Sequence, residues 1–333
     1  MKRYEWHPVH NTFGIEAKAR VYVEYESDEE LQSLLPQLAG ERILHVGGGS
    51  NLLFTKDFDG VVLHSCIRGM EVVGEDTQSV LVRAGAGEVW DDFVAYALTQ
   101  GWSGVENLSL IPGEVGASAV QNIGAYGVEA KDVIERVEAI SLFDGSRHVF
   151  TNADCQYGYR QSRFKHEWRG QFAITHVVYR LSRQFVPQLD YGNIRAQLST
   201  LRESEVTPQT VRQAIISIRQ TKLPDPLVQG NAGSFFMNPV VPLEQFQQLQ
   251  RDYPQIPHYD APNGVKIPAG WLIEQSGWKG KSLGKAAVHD RQALVLVNRG
   301  GATGADILAL SETVCRDVKA RFGIDIHPEV NVI

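Results

Sequence analysis

The segment from Ile111 to Gly127 constrains the fold of this chain more than any other. It reads IPGEVGASAVQNIGAYG, seventeen residues that include four glycines and a single charged side chain. This composition predicts neither a stable helix nor a regular strand, because each glycine loses much conformational freedom in either. It suits a backbone that wraps closely around a flat, phosphate-bearing ligand, because small residues let the main chain approach. An ordinary long loop is the alternative interpretation.

A first glycine-rich loop, Gly47–Asn51, follows an apolar run that predicts a strand. Its consecutive backbone N–H groups are suited to cradling a pyrophosphate. The loop is not a P-loop, because no Lys-Ser/Thr pair follows, and it fails the GxGxxG pattern because Leu52 occupies the last glycine position. A tight turn without a ligand is the alternative.

A further glycine pair, Gly85 and Gly87, resembles the strand–loop–helix turn of dinucleotide-binding domains only superficially. Trp90 stands where the third glycine of that fingerprint belongs. A bulky indole opposes the close packing of helix on strand that the fingerprint requires. The sequence therefore argues against a Rossmann site here.

Short apolar runs separated by glycines predict strands through most of the segment 19–150. Two helices are predicted from 3.6-residue periodicity, at Glu88–Gln100 and at Thr207–Gln220, the second with Thr207 as its N-cap. The rest of the chain predicts an α+β unit. Its expected elements are helices near Pro242–Arg251, Ala269–Ser276 and Thr303–Phe322, the last closed by Gly323, and a strand at Ala293–Asn298.

A domain boundary is predicted at the KLPDP segment, Lys222–Pro226. Two prolines within three residues interrupt regular structure, and a glycine-bearing stretch follows them. The length of 333 residues also favours two domains. We therefore expect one domain at 1–222 and a smaller one at 223–333.

Composition excludes several classes of protein. Thirty-two Lys and Arg against 39 Asp and Glu give a net charge of −7, which argues against nucleic-acid binding. No segment approaches the roughly 20 apolar residues of a membrane span, and the N-terminus lacks the apolar run of a signal peptide. The three cysteines form no CxxC pair, which favours a reducing, cytoplasmic location. No histidine pairs with a cysteine or carboxylate cluster at ligand spacing, so no transition-metal site is expected.

Two more segments carry reactive side chains, YGYRQSRFK from Tyr157 and NAGSFFMNP from Asn231. Through these two segments and the glycine-rich segments, the sequence resembles the UDP-N-acetylenolpyruvoylglucosamine reductases. The resemblance covers almost the whole chain, through several motifs in the same order. They are NTF at Asn11, GGGSNLL, IPGxVGAxxVQNIGAYG, YRxSxFK, KLPDP, GNAGSFFxNP, PAGWLIEQ and the terminal HPEV at His327.

The resemblance implies an α+β fold of the vanillyl-alcohol oxidase / p-cresol methylhydroxylase type. FAD would lie between two subdomains, about 1–66 and 67–222, and 223–333 would bind the substrate, with the C-terminal tail returning to the active site. Ser50 in the first loop, where some relatives of this fold carry a flavin-linked His, implies non-covalent FAD. The implied FAD-binding residues are Gly47, Gly48, Gly49, Ser50, Asn51, Ile111, Pro112, Gly113, Gly116, Ala117, Ser118, Gln121, Asn122, Gly124, Ala125 and Tyr126.

The implied activity is NADPH-dependent reduction of UDP-N-acetylglucosamine enolpyruvate for cell-wall synthesis, by a monomer. An enol ether resists hydride addition until a cation on its carboxylate makes the alkene a Michael acceptor. By resemblance, Arg160 and Glu329 stabilise that carboxylate, and Ser234 donates a proton to the adjacent carbon. A serine is a weak acid, so a cationic neighbour is needed, for which Lys222 is the candidate. Without the resemblance, Ser234 is equally a turn hydroxyl, Arg160 a partner of Asp154 or Glu167, and Glu329 a solvated terminal residue.

The family pattern also implies substrate contacts, and it differs from this chain at one position. A tyrosine-bearing loop would close over the substrate, and other side chains would contact the nucleotide and diphosphate. Glu114 stands where many relatives have a small residue, and we expect its carboxylate to point outward or to cap a backbone amide. A carboxylate that points at the pyrophosphate would require a revision of the implied FAD-binding residues. The implied substrate residues are Tyr191, Lys222, Asn238, Lys266, Lys279 and Gln292.

Two other functions stay open at this point. One is another FAD oxidoreductase of the same fold, such as an oxidase of an alcohol or sugar. The other is a non-catalytic protein that senses flavin or a nucleotide sugar. The presence of Ser234, Arg160 and Glu329 together disfavours both. The sequence leaves the choice between NADPH and NADH open, because it contains no Rossmann site for the nicotinamide.

Overall fold

The computed structural model describes all 333 residues, Met1–Ile333. It contains twenty β-strands, most of them short. In chain order they are β1 Lys2–Pro8, β2 Lys18–Tyr25, β3 Ile43–Val46, β4 Leu52–Leu53, β5 Phe58–Ser65, β6 Met70–Glu75, β7 Ser79–Gly85, β8 Gly124–Ala125, β9 Val128–Glu129, β10 Ile134–Ser141, β11 Arg147–Thr151, β12 Phe172–Ser182, β13 Asn231–Ser234, β14 Val240–Val241, β15 Tyr259–Ala261, β16 Gly264–Lys266, β17 Ser282–Leu283, β18 Ala286–Val288, β19 Val295–Asn298 and β20 Asn331–Val332.

Eight α-helices accompany the strands, with five short 3₁₀ turns. None of the helices combines the length and the hydropathy that a bilayer span requires. The helices are α1 Asp28–Leu34, α2 Trp90–Thr99, α3 Val115–Gln121, α4 Ile194–Gln197, α5 Pro208–Lys222, α6 Leu243–Asp252, α7 Ala269–Gln275 and α8 Gly304–Phe322.

The chain divides into two compact units, and each unit contains more than one segment of the chain. The second unit contains the C-terminal part from Lys222 and also two segments from near the N-terminus, Val9–Ala17 and Gly49–Asp57. The first unit contains Met1–Pro8, Lys18–Gly48 and Phe58–Thr221. Compactness does not reveal which ligand a unit binds, so the division into an FAD-binding domain at 1–222 and a substrate domain at 223–333 stays a prediction.

The first unit contains two large sheets and the two-stranded sheet β8-β9. The strand order β1-β2-β5-β3 forms a sheet in which β2, β5 and β3 run parallel, and the order β11-β10-β12-β7-β6 forms an antiparallel sheet. Helix α1 covers the first sheet through Leu31 and Leu34, while α2 and α3 pack in the core of the second. Because parallel strands end on one edge, the loops after β2, β3 and β5 lie at the same edge.

The two periodic helices of the first unit confirm the sequence predictions. Helix α2 begins two residues later than expected, at Trp90, and buries the predicted face. Helix α5 begins at Pro208, with the Thr207 hydroxyl accepting a hydrogen bond from the Thr210 N–H at 3.2 Å. The buried residues of these two faces are Trp90, Phe93, Val94, Ala97 and Leu98 in α2, and Val211, Ala214, Ile215 and Ile218 in α5.

The glycine-rich segment 111–127 is not the irregular loop that its composition predicts. Residues Val115–Gln121 form helix α3, which ends at Asn122 in the left-handed conformation, φ 46°. The Gly116 N–H donates to the Ala86 carbonyl, and a Cβ on Gly116 would lie 2.9 Å from the Ala86 Cβ. Tertiary packing of small residues thus outweighs their low helix propensity. Gly85 and Gly87 serve similar close packing, since a Cβ on either would lie within 2.4 Å of a backbone carbonyl oxygen.

A half-buried ion pair joins α2 to α5. Arg212 donates to both carboxylate oxygens of Asp91, at 2.6 and 2.9 Å, and the Leu110 N–H donates to the same carboxylate at 2.5 Å. Burial opposes ionisation of Asp91, but the bonds from Arg212 and Leu110 outweigh it and hold the pKa of Asp91 below its ordinary value. The carboxylate therefore anchors the start of the glycine-rich segment.

Asp91→Ala is expected to destabilise the protein by about 2 kcal/mol at neutral pH, because it leaves Arg212 and the Leu110 N–H without their acceptor. A carboxyl group whose pKa is lower in the folded protein stabilises the fold at pH values above its pKa in the unfolded chain. The difference in free energy of unfolding between wild type and Asp91→Ala should therefore vanish as the pH falls below about 4 and through the native pKa of Asp91. Urea unfolding at several pH values measures this. Glu135→Ala removes an exposed bidentate pair with Arg180 in the same unit and should cost under about 1 kcal/mol. An equal loss in both variants would contradict the role of Asp91.

The second unit has a core formed largely by α6, α7 and α8 with short strands. Its sheets have the orders β13-β19-β18-β17, β14-β16-β15 and β20-β4. Helix α8 confirms its predicted ends: Thr303 and Asp306 form a capping box, and Gly323 closes it at φ 66°. The segments Val9–Ala17 and Gly49–Asp57 are joined to the rest of this unit by backbone hydrogen bonds. Examples are the Asn231 N–H to the Thr12 carbonyl and the Ile333 N–H to the Leu53 carbonyl, at 2.9 Å each.

Candidate functional site

In the first unit, the two glycine segments that were predicted to bind one ligand lie against each other. A Cβ built on Gly48 would lie 3.6 Å from the Gly113 Cα, and a Cβ on Gly47 would lie 3.7 Å from the Ala117 Cβ. These four residues are neither fully buried nor fully exposed. The side chain nearest to both Gly47 and Gly48 is that of Glu114, so the two segments form a lining of backbone beside one carboxylate.

The first glycine loop continues into the second unit at Gly49. Gly49 has φ 67°, and a Cβ there would lie 2.2 Å from the His10 carbonyl oxygen, so only glycine fits. Asn51 is joined to the C-terminal strand: its carbonyl accepts from the Asn331 N–H at 3.1 Å, and its side-chain amide donates to the Glu329 carbonyl at 3.3 Å. Ser50, between them, is half-buried.

Glu114 does not behave as the sequence analysis expects. Its side chain caps no amide of α3 and is only 8% exposed. Oε1 lies 3.0 Å from Nε2 of His64, and Oε2 lies 3.1 Å from the position of a Cβ on Gly47. The expectation of an outward or amide-capping carboxylate is therefore wrong, because a histidine on strand β5 supplies its partner inside the fold.

Two of the implied FAD-binding residues turn their side chains into the protein. The Ser118 hydroxyl bonds to the Val115 carbonyl and to the Tyr179 hydroxyl, both at 2.7 Å, and Ser118 is 1% exposed. The fully buried Asn122 side chain donates to the Gly158 carbonyl at 2.8 Å and accepts from the Lys131 N–H at 2.9 Å. Both side chains fix the shape of the segment, and the backbone N–H groups of the two residues bond within it as well, Ser118 N–H to the Glu114 carbonyl and Asn122 N–H to the Ser118 carbonyl.

Arg160 lies beside the glycine-rich segment. One end of its guanidinium donates to the Gly124 carbonyl and the other to the Asn122 carbonyl at 3.5 Å, and its own backbone has φ 55°. A Cβ on Gly124 would lie 2.7 Å from Nη1 of Arg160, so a larger residue there would have to displace the guanidinium. The cation is thus positioned by the same backbone that was predicted to hold the cofactor.

Tyr191 also lies near that segment. A Cβ on Gly127 would be 3.5 Å from the Tyr191 Cβ, and the Tyr191 side chain is 41% exposed. Asn107 fixes the adjoining turn by donating to the Tyr126 and Gln188 carbonyls, each at 2.9 Å. The first unit therefore brings the implied substrate tyrosine next to the implied cofactor loop. The other first-unit residues of the implied FAD set, Ile111, Pro112, Gln121, Ala125 and Tyr126, lie along the same segment.

In the second unit, Ser234 and Glu329 lie on backbone segments that pair with each other. Glu329 N–H donates to the carbonyl of Phe235, the residue after Ser234, at 2.7 Å. Ser234 ends β13 and is exposed, and the preceding Gly233 is held at φ 67° by a bond from its N–H to the Asn231 side chain at 2.9 Å. Asn51 also bonds to Glu329, so a cofactor-loop residue and two implied catalytic residues meet here.

Two implied substrate residues meet at the start of helix α7. Asn238 accepts a hydrogen bond from the Ala269 N–H at 2.9 Å, and the Gln292 Oε1 lies 3.2 Å from the position of a Cβ on Gly270. The PAGW motif thus places two amide side chains at one helix end. A carbonyl oxygen of Asn238 that caps the helix leaves its NH₂ group as the donor for other partners.

The three implied substrate lysines lie in different settings. Lys222 ends helix α5 and is exposed, and the residue after it, Leu223, packs on the sheet that contains β13. Lys266 lies over the Tyr259 ring at 5.9 Å on β16. Lys279 pairs with Glu274 at 3.0 Å on the surface, so a substrate phosphate would have to compete with that carboxylate.

Sequence reasoning missed two residues of the first unit that support the site. Arg219 on α5 is half-buried beside Tyr126, and desolvation lowers its pKa although Tyr126 and Asp91 favour the charged form. His64 holds Glu114 against the first glycine loop. Neither residue lies in a motif. Arg219 only follows Ile218, a residue of the predicted apolar face, so nothing in the local sequence marks Arg219 or His64 as part of the site.

Comparison with known proteins agrees with this geometry. Residues 19–151 match the family model "FAD binding domain", and residues 225–333 match "UDP-N-acetylenolpyruvoylglucosamine reductase, C-terminal domain". A UDP-N-acetylenolpyruvoylglucosamine reductase from Bacteroides fragilis is 58% identical over 326 residues, 97% of each chain. One from Burkholderia orbicola is 51% identical over 330 residues, 97% of this chain and 95% of the relative.

A solved structure shares the fold. The crystal structure of UDP-N-acetylenolpyruvylglucosamine reductase from Thermus caldophilus aligns with a TM-score of 0.68 over 99% of this chain and 98% of its own, at 22% identity. The fold is therefore the α+β FAD-binding fold that the resemblance implies. Because it also has an FAD-binding domain and a reductase relative at 58% identity, the protein is an FAD-dependent oxidoreductase. At 58% identity over nearly its full length, the chain belongs to the UDP-N-acetylenolpyruvoylglucosamine reductase family.

Proposed function

We propose that this protein reduces the enolpyruvyl group of UDP-N-acetylglucosamine enolpyruvate to give UDP-N-acetylmuramate for peptidoglycan synthesis, with FAD as cofactor and NADPH as co-substrate. The observation that carries the assignment is the pairing of the Ser234 and Glu329 segments, with Asn51 bonded to Glu329, in a chain 58% identical to a reductase of that name. We also propose that the protein acts as a monomer in the cytoplasm. Through cell-wall biogenesis it would support cell shape, the cell cycle and cell division.

The residues present fit FAD. Gly47, Gly48 and Gly113 leave backbone groups for a pyrophosphate, with the Glu114 carboxylate beside them held by His64. Ser50 offers no imidazole for a covalent link. Bound FAD would accept a hydride from NADPH and deliver it to the alkene of the substrate. The protein's task is to hold the substrate carboxylate and to supply a proton.

We assign the substrate carboxylate to Arg160 and Glu329. Negative charge grows on this carboxylate as the hydride arrives, and a positioned cation stabilises it most at that stage. Glu329 can assist only as a carboxylic acid, because an ionised carboxylate would repel the developing charge. Arg160 is anchored on carbonyl groups of the glycine-rich segment, which limits its movement as the charge develops.

We assign the proton to Ser234, which would donate it to the carbon next to the substrate carboxylate. The exposed hydroxyl at the end of β13 is accessible to a ligand. Lys222 is proposed as the cation that makes this weak acid competent, and it would also contact the diphosphate with Asn238. Tyr191 would contact the nucleotide, with Lys266, Lys279 and Gln292 as further substrate contacts.

The purified protein is expected to be yellow, with FAD that leaves on denaturation. No covalent bond to Ser50 is proposed, so acid precipitation should release the flavin into the supernatant. Absorbance of the supernatant and of the redissolved pellet measures the split. Flavin that stays in the pellet would contradict non-covalent binding.

An anaerobic two-step titration tests the proposed reaction. NADPH should bleach the flavin absorbance, and UDP-N-acetylglucosamine enolpyruvate should then restore it with one equivalent of product. Bleaching without recolouring by this substrate, but with recolouring by oxygen or another acceptor, would indicate a different oxidoreductase. No bleaching by either NADPH or NADH would indicate a flavin-binding protein that is not a reductase.

A further inference from the structure

Three side chains of types that bind metal ions meet in the first unit, next to the Glu114 carboxylate that lies beside the first glycine loop. Glu24 on β2 lies opposite His64 on β5 in the parallel register, and Cys66 follows two residues after His64. Cys66 lies one residue beyond the end of β5, and its thiol faces the His64 ring. One ligand atom from each residue lies within 4.8 Å of those of the other two.

The spacing of these atoms is close to that of a coordination sphere. Nδ1 of His64 lies 3.8 Å from Sγ of Cys66 and 3.9 Å from a carboxylate oxygen of Glu24. Around a tetrahedral zinc ion with bonds of about 2.0–2.3 Å, ligand atoms are separated by roughly 3.5 Å. The third pair, Glu24 and Cys66, has its ligand atoms within 4.8 Å, so side-chain adjustments of up to about an ångström would bring all three into a coordination sphere.

Glu114 orients the histidine for this role. Its Oε1 lies 3.0 Å from Nε2 of His64, so in neutral imidazole the proton sits on Nε2 and the lone pair on Nδ1. Nδ1 is the nitrogen that faces Cys66 and Glu24. A carboxylate behind a metal-binding histidine is the usual arrangement of the outer shell of such sites. This buried carboxylate is an observation independent of the cluster itself.

Sequence spacing predicted no transition-metal site, because Glu24 lies forty positions before His64. We infer from the pairing of their strands that Glu24, His64 and Cys66 form a site for a divalent transition-metal ion of the zinc or cobalt class, with Glu114 as a positioning residue. The donor set of one thiolate, one imidazole and one carboxylate suits these ions better than magnesium or calcium, which prefer oxygen alone. Three protein ligands leave the fourth position to water. The His64 and Glu24 side chains are 17% and 27% exposed, so an ion can enter.

The alternative is a plain ion-pair network in which a protonated His64 bridges Glu24 and Glu114 without a metal. The two interpretations differ in the role of Cys66. The network does not need the thiol, whereas the metal site does. A test on Cys66 therefore separates them, and it is independent of whether the enzyme reduces its proposed substrate.

The test uses the FAD-loaded protein after treatment with a chelator and dialysis. Addition of Co²⁺ should produce absorption bands in the red, beyond the flavin spectrum, that are typical of tetrahedral cobalt with a thiolate ligand. Equilibrium dialysis with Zn²⁺ should retain one ion per chain, and Zn²⁺ should abolish the cobalt bands. A protein that retains no zinc and shows no bands would overturn the proposal.

Variants locate the site. Cys66→Ser should lose the cobalt bands, while Cys315→Ser is the matched control, because Cys315 is also half-buried but belongs to no three-ligand group. Glu114→Gln should keep the bands and weaken zinc binding about tenfold or more. Bound flavin, measured by its absorbance, shows that each variant is folded. If Cys66→Ser is not folded, Glu24→Gln takes its place in the test. Bands that survive in both Cys66→Ser and Glu24→Gln would place the ion elsewhere and refute the assignment.

Discussion

Ser234→Ala is expected to slow the half-reaction with enolpyruvyl substrate by at least ~100-fold, the lower range for general acid catalysis, while flavin reduction by NADPH stays nearly unchanged. The reason is that only the second half-reaction needs a proton on carbon. Rapid mixing separates the two: bleaching by NADPH is followed first, and recolouring by substrate is followed on pre-reduced enzyme.

The fold itself should tolerate this substitution. The turn before Ser234 is held by Asn231, whose side chain accepts the Gly233 N–H at 2.9 Å, and the Ser234 side chain is exposed. Ser282→Ala is a suitable control, because Ser282 is also an exposed serine on a strand of the same sheet. Equal slowing of both half-reactions in Ser234→Ala would show that the hydroxyl has a structural role instead.

Periodic helices were the part of the fold that local sequence predicts best. In α2 and α5 the apolar residues recur every three to four positions, and the same residues are buried in the structure. Helix α8 was recognisable from both ends, because Thr303 and Gly323 have side-chain and backbone properties that stop a helix. Such signals are local and need no knowledge of the neighbours.

Helix α3 could not be predicted in the same way, because its stability comes from neighbours distant in sequence. Gly116 packs on Ala86, and Ser118 bonds to Tyr179. The assignment of Val9–Ala17 and Gly49–Asp57 to the second unit is likewise invisible locally. It follows from backbone bonds such as that between Asn231 and Thr12, which join residues more than two hundred positions apart.

In the candidate site, too, local sequence identifies individual residues but not the contacts between distant segments. Motifs identified Ser234, Arg160 and Glu329, but no motif shows that the Glu329 segment pairs with the residue after Ser234. Glu114 was singled out as unusual, yet its partner His64 lies fifty positions away on a different strand. Parallel pairing also brings Glu24 beside His64, and this pairing depends on the sheet rather than on sequence spacing.

Arg160→Lys is expected not to rescue Arg160→Ala, although arginine and lysine carry the same charge. A guanidinium can offer two parallel N–H donors to a carboxylate, while an ammonium is a shorter, strongly hydrated point charge. Arg160 also uses its side-chain nitrogens to bond to the carbonyls of Gly124 and Asn122. A lysine would have to choose between that anchor and the substrate, so its position would vary when the charge develops.

The loss in Arg160→Lys should therefore appear in the rate of flavin reoxidation more than in substrate affinity, because the interaction strengthens as the substrate carboxylate gains charge. We expect a fall of at least about tenfold, or ~1.4 kcal/mol, in single-turnover reoxidation at saturating substrate. Arg163→Lys is the matched control, because Arg163 is a near neighbour whose guanidinium pairs with Glu167 and lies over Trp168. A rate for Arg160→Lys within about threefold of wild type, under ~0.7 kcal/mol, would remove Arg160 from the proposed role. The substrate carboxylate would then need a different cation, and the lysines of the second unit, which lie outside the glycine-rich segment, would be the residues to test.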